Sequence, residues 1–141
     1  MGPDPVTYLP VAANTVIYAG AIVATLNSTG LAMPGGLGNL TARVWGRCEE
    51  QVLNNPGSAG SATAPPWVKV RPGVFFYNSG TAGDAIAEAN IGFVVYVIDD
   101  NTVGLTNPGG NTRYPAGIVY TINPNGQIGV LMGPGFMGYT T

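Results

Sequence analysis

Residues 42–48 alternate without a break. Arg43, Trp45 and Arg47 take one parity; Val44, Gly46 and Cys48 take the other. Successive side chains on a strand point to opposite faces, so this stretch predicts a half-buried strand with its basic and aromatic residues outward. Residues 67–71 repeat the pattern, setting Trp67, Lys69 and Arg71 against Val68 and Val70. Residues 93–98 are apolar at both parities, which predicts a strand enclosed on both faces. Residues 15–26 predict a strand region broken at Gly20, where glycine marks a bulge or bend. Further β-branched and aromatic runs follow at 74–77, 102–105, 116–122 and 127–132.

Turn residues separate these runs. Asn27-Ser28-Thr29-Gly30 reads as a turn, residues 33–39 as a Pro-Gly-Gly loop, and 54–66 as a loop of Gly, Ser, Ala and Pro. Asn125-Gly126 is the strongest hairpin signal in the chain. The Ala-rich stretch 81–90 predicts one or two helical turns at most, since short helices gain too little from propensity alone. Residues 1–13 carry Pro3, Pro5 and Pro10, which forbid a helix and predict an extended arm whose Val6, Tyr8 and Leu9 dock on a neighbour. Residues 133–141 predict an irregular tail offering Phe136, Met137 and Tyr139. Seven or eight short strands with turns between them predict an all-β sandwich or small barrel over 14–132. A parallel α/β sheet is excluded because no crossover helices are available.

Composition narrows the function. Charged residues make up 9% of the 141, against about 25% in ordinary soluble domains. Interfaces are depleted in Lys, Glu and Asp, so such a surface reads as one covered by partners. With net charge −2 and five basic residues, general binding to a phosphate backbone is not expected. No apolar run reaches the length of a membrane span, and the first residues lack the basic segment and apolar core of a secretion signal. Cytoplasmic synthesis is the expectation.

Chemistry is scarce. There is no histidine and one cysteine, Cys48, which removes Cys-His catalysis, the familiar zinc sites and any intrachain disulfide. Cys48 is expected to be a small buried apolar side chain. Asp99-Asp100-Asn101 reads as a turn, because adjacent strand-end carboxylates point apart and Asx side chains bond their own backbone. Asp84 and Glu88 are expected on a solvated surface. Gly35-Gly36-Leu37-Gly38 lacks the Lys-Ser/Thr ending and the βαβ context of a nucleotide loop. No catalytic residue, metal ligand or cofactor is therefore expected. The sharpest candidate site is a cationic, aromatic patch of Arg43, Trp45, Arg47, Trp67, Lys69 and Arg71; the plainer reading of the same residues is stacking of Arg on Trp across the strands, with Glu49 and Glu50 as local ion-pair partners. Arg and Trp dominate binding hot spots.

The order of the segments also resembles a family. Tyr18-Ala-Gly-Ala-Ile-Val-Ala, Gly30-Leu-Ala-Met-Pro and Val44-Trp-Gly-Arg-Cys-Glu-Glu resemble the opening half of the capsid cement (head decoration) proteins of tailed bacteriophages. Val70-Arg-Pro-Gly-Val-Phe-Phe-Tyr-Asn-Ser79 is similar to their charged strand and Gly-Val-Phe step, and residues 91–103 to their valine-tyrosine strand. Ala116-Gly-Ile-Val119 with Gly129-Val130 resembles their closing strands, so the likeness spans about residues 14–131. It implies a non-enzymatic protein on the outer surface of the virion, clamping neighbouring major capsid subunits of the expanded head. It also implies a homo-oligomer, a trimer first and a dimer second. The fold expected is all-β, a small β-barrel or β-sandwich (β-tulip-like), with no nucleic acid and no membrane among its partners. A carbohydrate-binding β-sandwich, stacking sugars on Trp45, Trp67 and tyrosines, is the rival reading.

Overall fold

The structure, a computed structural model, describes residues 6–36, 42–54, 66–107 and 113–133. It is all-β. Among the described residues twelve strands run in the order β1 (Thr7–Pro10), β2 (Thr15–Ile17), β3 (Ile22–Leu26), β4 (Ala32–Pro34), β5 (Ala42–Cys48), β6 (Val52–Asn54), β7 (Trp67–Arg71), β8 (Gly73–Ser79), β9 (Val94–Asp99), β10 (Thr102–Gly104), β11 (Pro115–Ile122) and β12 (Ile128–Met132). They make a five-stranded sheet ordered β1-β7-β5-β3-β4, a closed barrel ordered β10-β8-β12-β11-β9, and a small β2-β6 pair. Among the described residues no helix is long and apolar enough to cross a membrane.

Two apolar cores follow from the alternation. The first joins the barrel interior to one face of the sheet and holds Ile22, Val44, Val95, Val97, Ile128 and Val130. The second lies on the other face of the sheet and holds Leu9, Val11, Ile17, Cys48, Val68 and Val70. Asn125-Gly126 turns the chain between β11 and β12, with Gly126 at φ 89 where glycine alone is unstrained. Asp99 accepts the Asn101 amide at 2.9 Å, so the β9–β10 turn closes as the Asx pattern predicts. Residues 81–90 form two single 3-10 turns, Ala82–Asp84 and Glu88–Asn90.

Two expectations are corrected. The described part of the stretch read as an arm belongs to the sheet. β1 pairs antiparallel with β7, and Leu9 and Val11 are buried in the second core. The buried Asn54 amide donates to the Val11 carbonyl at 2.9 Å and pins the end of the segment. Pro10 suits an edge strand, whose outer side needs no donors, so it marks an edge rather than a free arm. Nor is the strand at 93–98 enclosed on both faces: Val95 and Val97 are buried, while Phe93 and Val94 are exposed.

Candidate functional site

β5 and β7 do share a sheet, as the patch requires, but their ladder is short: Arg47 pairs with Arg71 and Cys48 with Val70. A bulge decides what each side chain faces. On the β3–β5 ladder Val23 pairs with Gly46 and Ala24 with Val44, so the ladder skips Trp45. One extra residue reverses the parity of a strand. Before the bulge Val44 enters the first core; after it Cys48, of the same sequence parity, enters the second. Gly46, at φ 152, is what permits this, because a Cβ there would collide with the Arg71 carbonyl.

The predicted patch therefore splits between two faces. Arg43 and Trp45 lie on the side of the second core, where Trp45 packs and its indole N–H donates to the Thr25 hydroxyl at 2.7 Å. Arg47 lies on the other side, with its guanidinium 4.2 Å from the centre of the Phe75 ring of the barrel. Trp67, Lys69 and Arg71 stand opposite Val68 and Val70, and so share the Arg47 side. The register adds Tyr8, which pairs with Lys69 across β1 and β7.

On this face the barrel covers β5 but not the β7–β1 end, which leaves an overhang. Tyr8 is 58% exposed and Trp67 59% exposed, with Lys69 half-buried between the two strands' aromatics. Lys69 makes no ion pair with a described residue, whereas the arginines beside it are engaged. Glu49 receives Arg47 Nε at 2.9 Å and Arg71 Nε at 3.0 Å, one on each carboxylate oxygen. Burial of the Glu49 carboxylate opposes its ionisation. The hydrogen bonds and charge of the two arginines outweigh that and hold its pKa below the usual range. The triad keeps a net charge of +1 and holds both guanidinium groups in place without their moving to meet a partner.

Of the other candidates, Leu9 is buried and Val6 half-buried, so neither offers the free apolar contact expected of an arm. Phe136, Met137 and Tyr139 lie outside the described residues. Glu50, expected as an ion-pair partner alongside Glu49, makes no side-chain ion pair among the described residues. Asp84 is not a merely solvated carboxylate. It accepts from the Thr106 hydroxyl and amide and pairs with Arg113 at 2.9 Å, and these bonds lower its pKa. Cys48 is buried, its thiol donating to the Glu50 carbonyl at 2.9 Å, and burial raises its pKa. No group of three or more Cys, Asp or Glu among the described residues is placed to hold a metal.

A separate open cavity of about 480 Å³ lies where the β9–β10 turn docks on the sheet. Tyr18 and Phe76 rim it, with Asn78, Asp100, Asn101 and Gln127 between them. Tyr77 also lines it, and its buried hydroxyl has no hydrogen-bond partner among the described residues. Compared with protein-family models, with curated proteins and with solved structures, the chain matches none.

Proposed function

We propose that this chain is a capsid cement protein: a structural virion protein on the outer surface of a phage head that ties neighbouring major capsid subunits together. The observation that carries the reading is the overhang of Tyr8, Trp67 and Lys69. It is an aromatic and cationic surface on an otherwise charge-poor chain, of the kind that fills binding hot spots. The resemblance over residues 14–131 and the all-β fold agree with it. Its work is mechanical: many modest contacts, repeated by symmetry, so that rupture requires several breaks at once.

The test is co-sedimentation with expanded, empty heads. Trp67→Ala alters an exposed side chain and Lys69→Glu a half-buried one, both outside the two cores, and both variants are expected to fold. Each is expected to lower head binding at least tenfold, the loss typical of a hot-spot truncation. Unchanged binding by both variants would refute the overhang as the contact.

The rival, carbohydrate binding, draws its support from the cavity and not from the tryptophans. Trp45 and Trp67 lie on opposite faces and cannot bracket one ligand. Tyr18 and Phe76 can stack on a sugar ring while Asn78 and Gln127 reach its hydroxyls. Calorimetric titration with neutral saccharides separates the two readings.

A further inference from the structure

The cavity beside the β9–β10 turn holds a charge that a neutral ligand leaves unanswered. Backbone hydrogen bonds fix its shape. The Ile22 amide donates to the Asp100 carbonyl at 2.8 Å and the Asn78 amide to the Asn101 carbonyl at 2.9 Å, which ties the turn to the sheet and to the barrel. The Gly20 amide donates to the Cys48 carbonyl at 2.8 Å and anchors residues 18–21, which also line the space. Asp100 is half-buried and is the one charged residue among the described lining residues. Its carboxylate makes no ion pair with a described residue. Tyr77 is 3% exposed with its hydroxyl unpartnered, and the Asn78 side-chain amide makes no hydrogen bond with a described residue either. At the rim, Tyr18 is 57% and Phe76 41% exposed.

We propose that this cavity receives an arginine side chain of a partner protein. A carboxylate held partly out of water without a counter-ion is unfavourable, and a cation brought to it offsets that penalty. Burial, with the neighbouring Asp99 charge, pushes the Asp100 pKa up, as expected of a carboxylate that lacks a cation. Arg47, whose charge reaches Tyr77, is committed to Glu49 and does not supply it. A guanidinium suits the lining better than an ammonium. It is planar and weakly hydrated, so it stacks on the rings of Tyr18 and Phe76. Its five donors match the Asp100 carboxylate and the unbonded oxygens of Tyr77 and Asn78. About 480 Å³ of open space admits a side chain carried on a backbone. A neutral sugar would leave Asp100 uncompensated. The chain's own Arg47, Arg71 and Arg113 are held by Glu49 and Asp84, so the guanidinium comes from a different protein.

This inference is independent of the capsid reading, because no heads are needed to test it. The end-blocked tripeptide Gly-Arg-Gly is titrated into the native chain while amide chemical shifts are followed. Saturable shifts at Tyr18, Asn78 and Asn101 are expected. The same peptide with citrulline keeps the shape and lacks the charge, and is expected to bind about tenfold more weakly. Asp100→Asn is expected to lose the Arg peptide by about the same factor, and Tyr18→Ala by about threefold, with dispersed spectra retained in both. Absence of saturable shifts overturns the inference. So does equal binding of the citrulline peptide, or an unchanged affinity in the folded Asp100→Asn variant. Free arginine brings a carboxylate that Asp99 and Asp100 repel, so it is expected to bind more weakly than the peptide. Equal or tighter binding of free arginine would overturn the protein source and assign the cavity to a small molecule. Shifts at these residues with a neutral saccharide, and none with the peptide, would overturn the inference in favour of the sugar reading.

Discussion

The two surfaces of this molecule solve the same problem in opposite ways. The sheet overhang keeps its polar groups and fixes them: Glu49 spans two arginines, Lys69 lies beside Tyr8, and Trp67 stands clear of the core. On the barrel, the outward row Val94, Ile118 and Leu131 on β9, β11 and β12 is aliphatic and carries no charge. Electrostatic contacts steer and orient a partner, while apolar area contributes most of the affinity once the partner is seated. The two surfaces share no residue, so a change made at one leaves the side chains of the other in place.

The sharpest way to break the comparison is to remove β1. The chain from residue 14 onward loses Leu9 and Val11 from the second core and Tyr8 from the overhang together. Burial of two such side chains contributes about 4 kcal/mol, so a urea midpoint should fall steeply. Removal of a free arm would leave the midpoint untouched, and that result would return the segment to the role of an arm.

Gly46→Val tests whether the bulge creates the site. The added side chain has to displace the Arg71 carbonyl, and φ 152 is strained for any residue with a Cβ. A loss of about 2–4 kcal/mol is expected. If the protein stays fully stable, β5 tolerates another parity and Arg47 need not face the barrel.

Glu49→Gln has the smallest expected effect. It removes the ion pairs and leaves Arg47 and Arg71 side by side, costing on the order of 1 kcal/mol. The pH dependence has a definite sign. The folded pKa of Glu49 is depressed below the ordinary value of 4.5, so its contribution is fully present above about pH 4.5. It is lost as pH falls through the folded pKa, because the unfolded chain then binds the proton more readily. The native chain should therefore lose stability on acidification below pH 4.5 more steeply than the Gln variant; parallel curves would show that the triad is worth nothing to the fold.

Local pattern made the two best-defined strands readable. The bounds 42–48 and 67–71 follow from strict alternation, and the Asn125-Gly126 turn from its backbone demand. What alternation could not supply is the side each residue faces. A single skipped residue, Trp45, reverses parity, and that depends on pairing with β3, some twenty residues earlier. Asp84 was misjudged for the same reason, since Thr106 and Arg113 stand 22 and 29 residues away in sequence. Residues 93–98 are apolar at both parities although only one parity, that of Val95 and Val97, meets the core, so apolarity alone could not show which side is buried.

Cys48 has a use that its burial creates. Its thiol is enclosed, hydrogen-bonded to a carbonyl, and held protonated by its surroundings, while reactivity belongs to the thiolate. The native thiol is thus expected to resist thiol reagents. A cysteine introduced on the overhang would then be the group that labels, and the rate at which it labels would report whether that surface is covered.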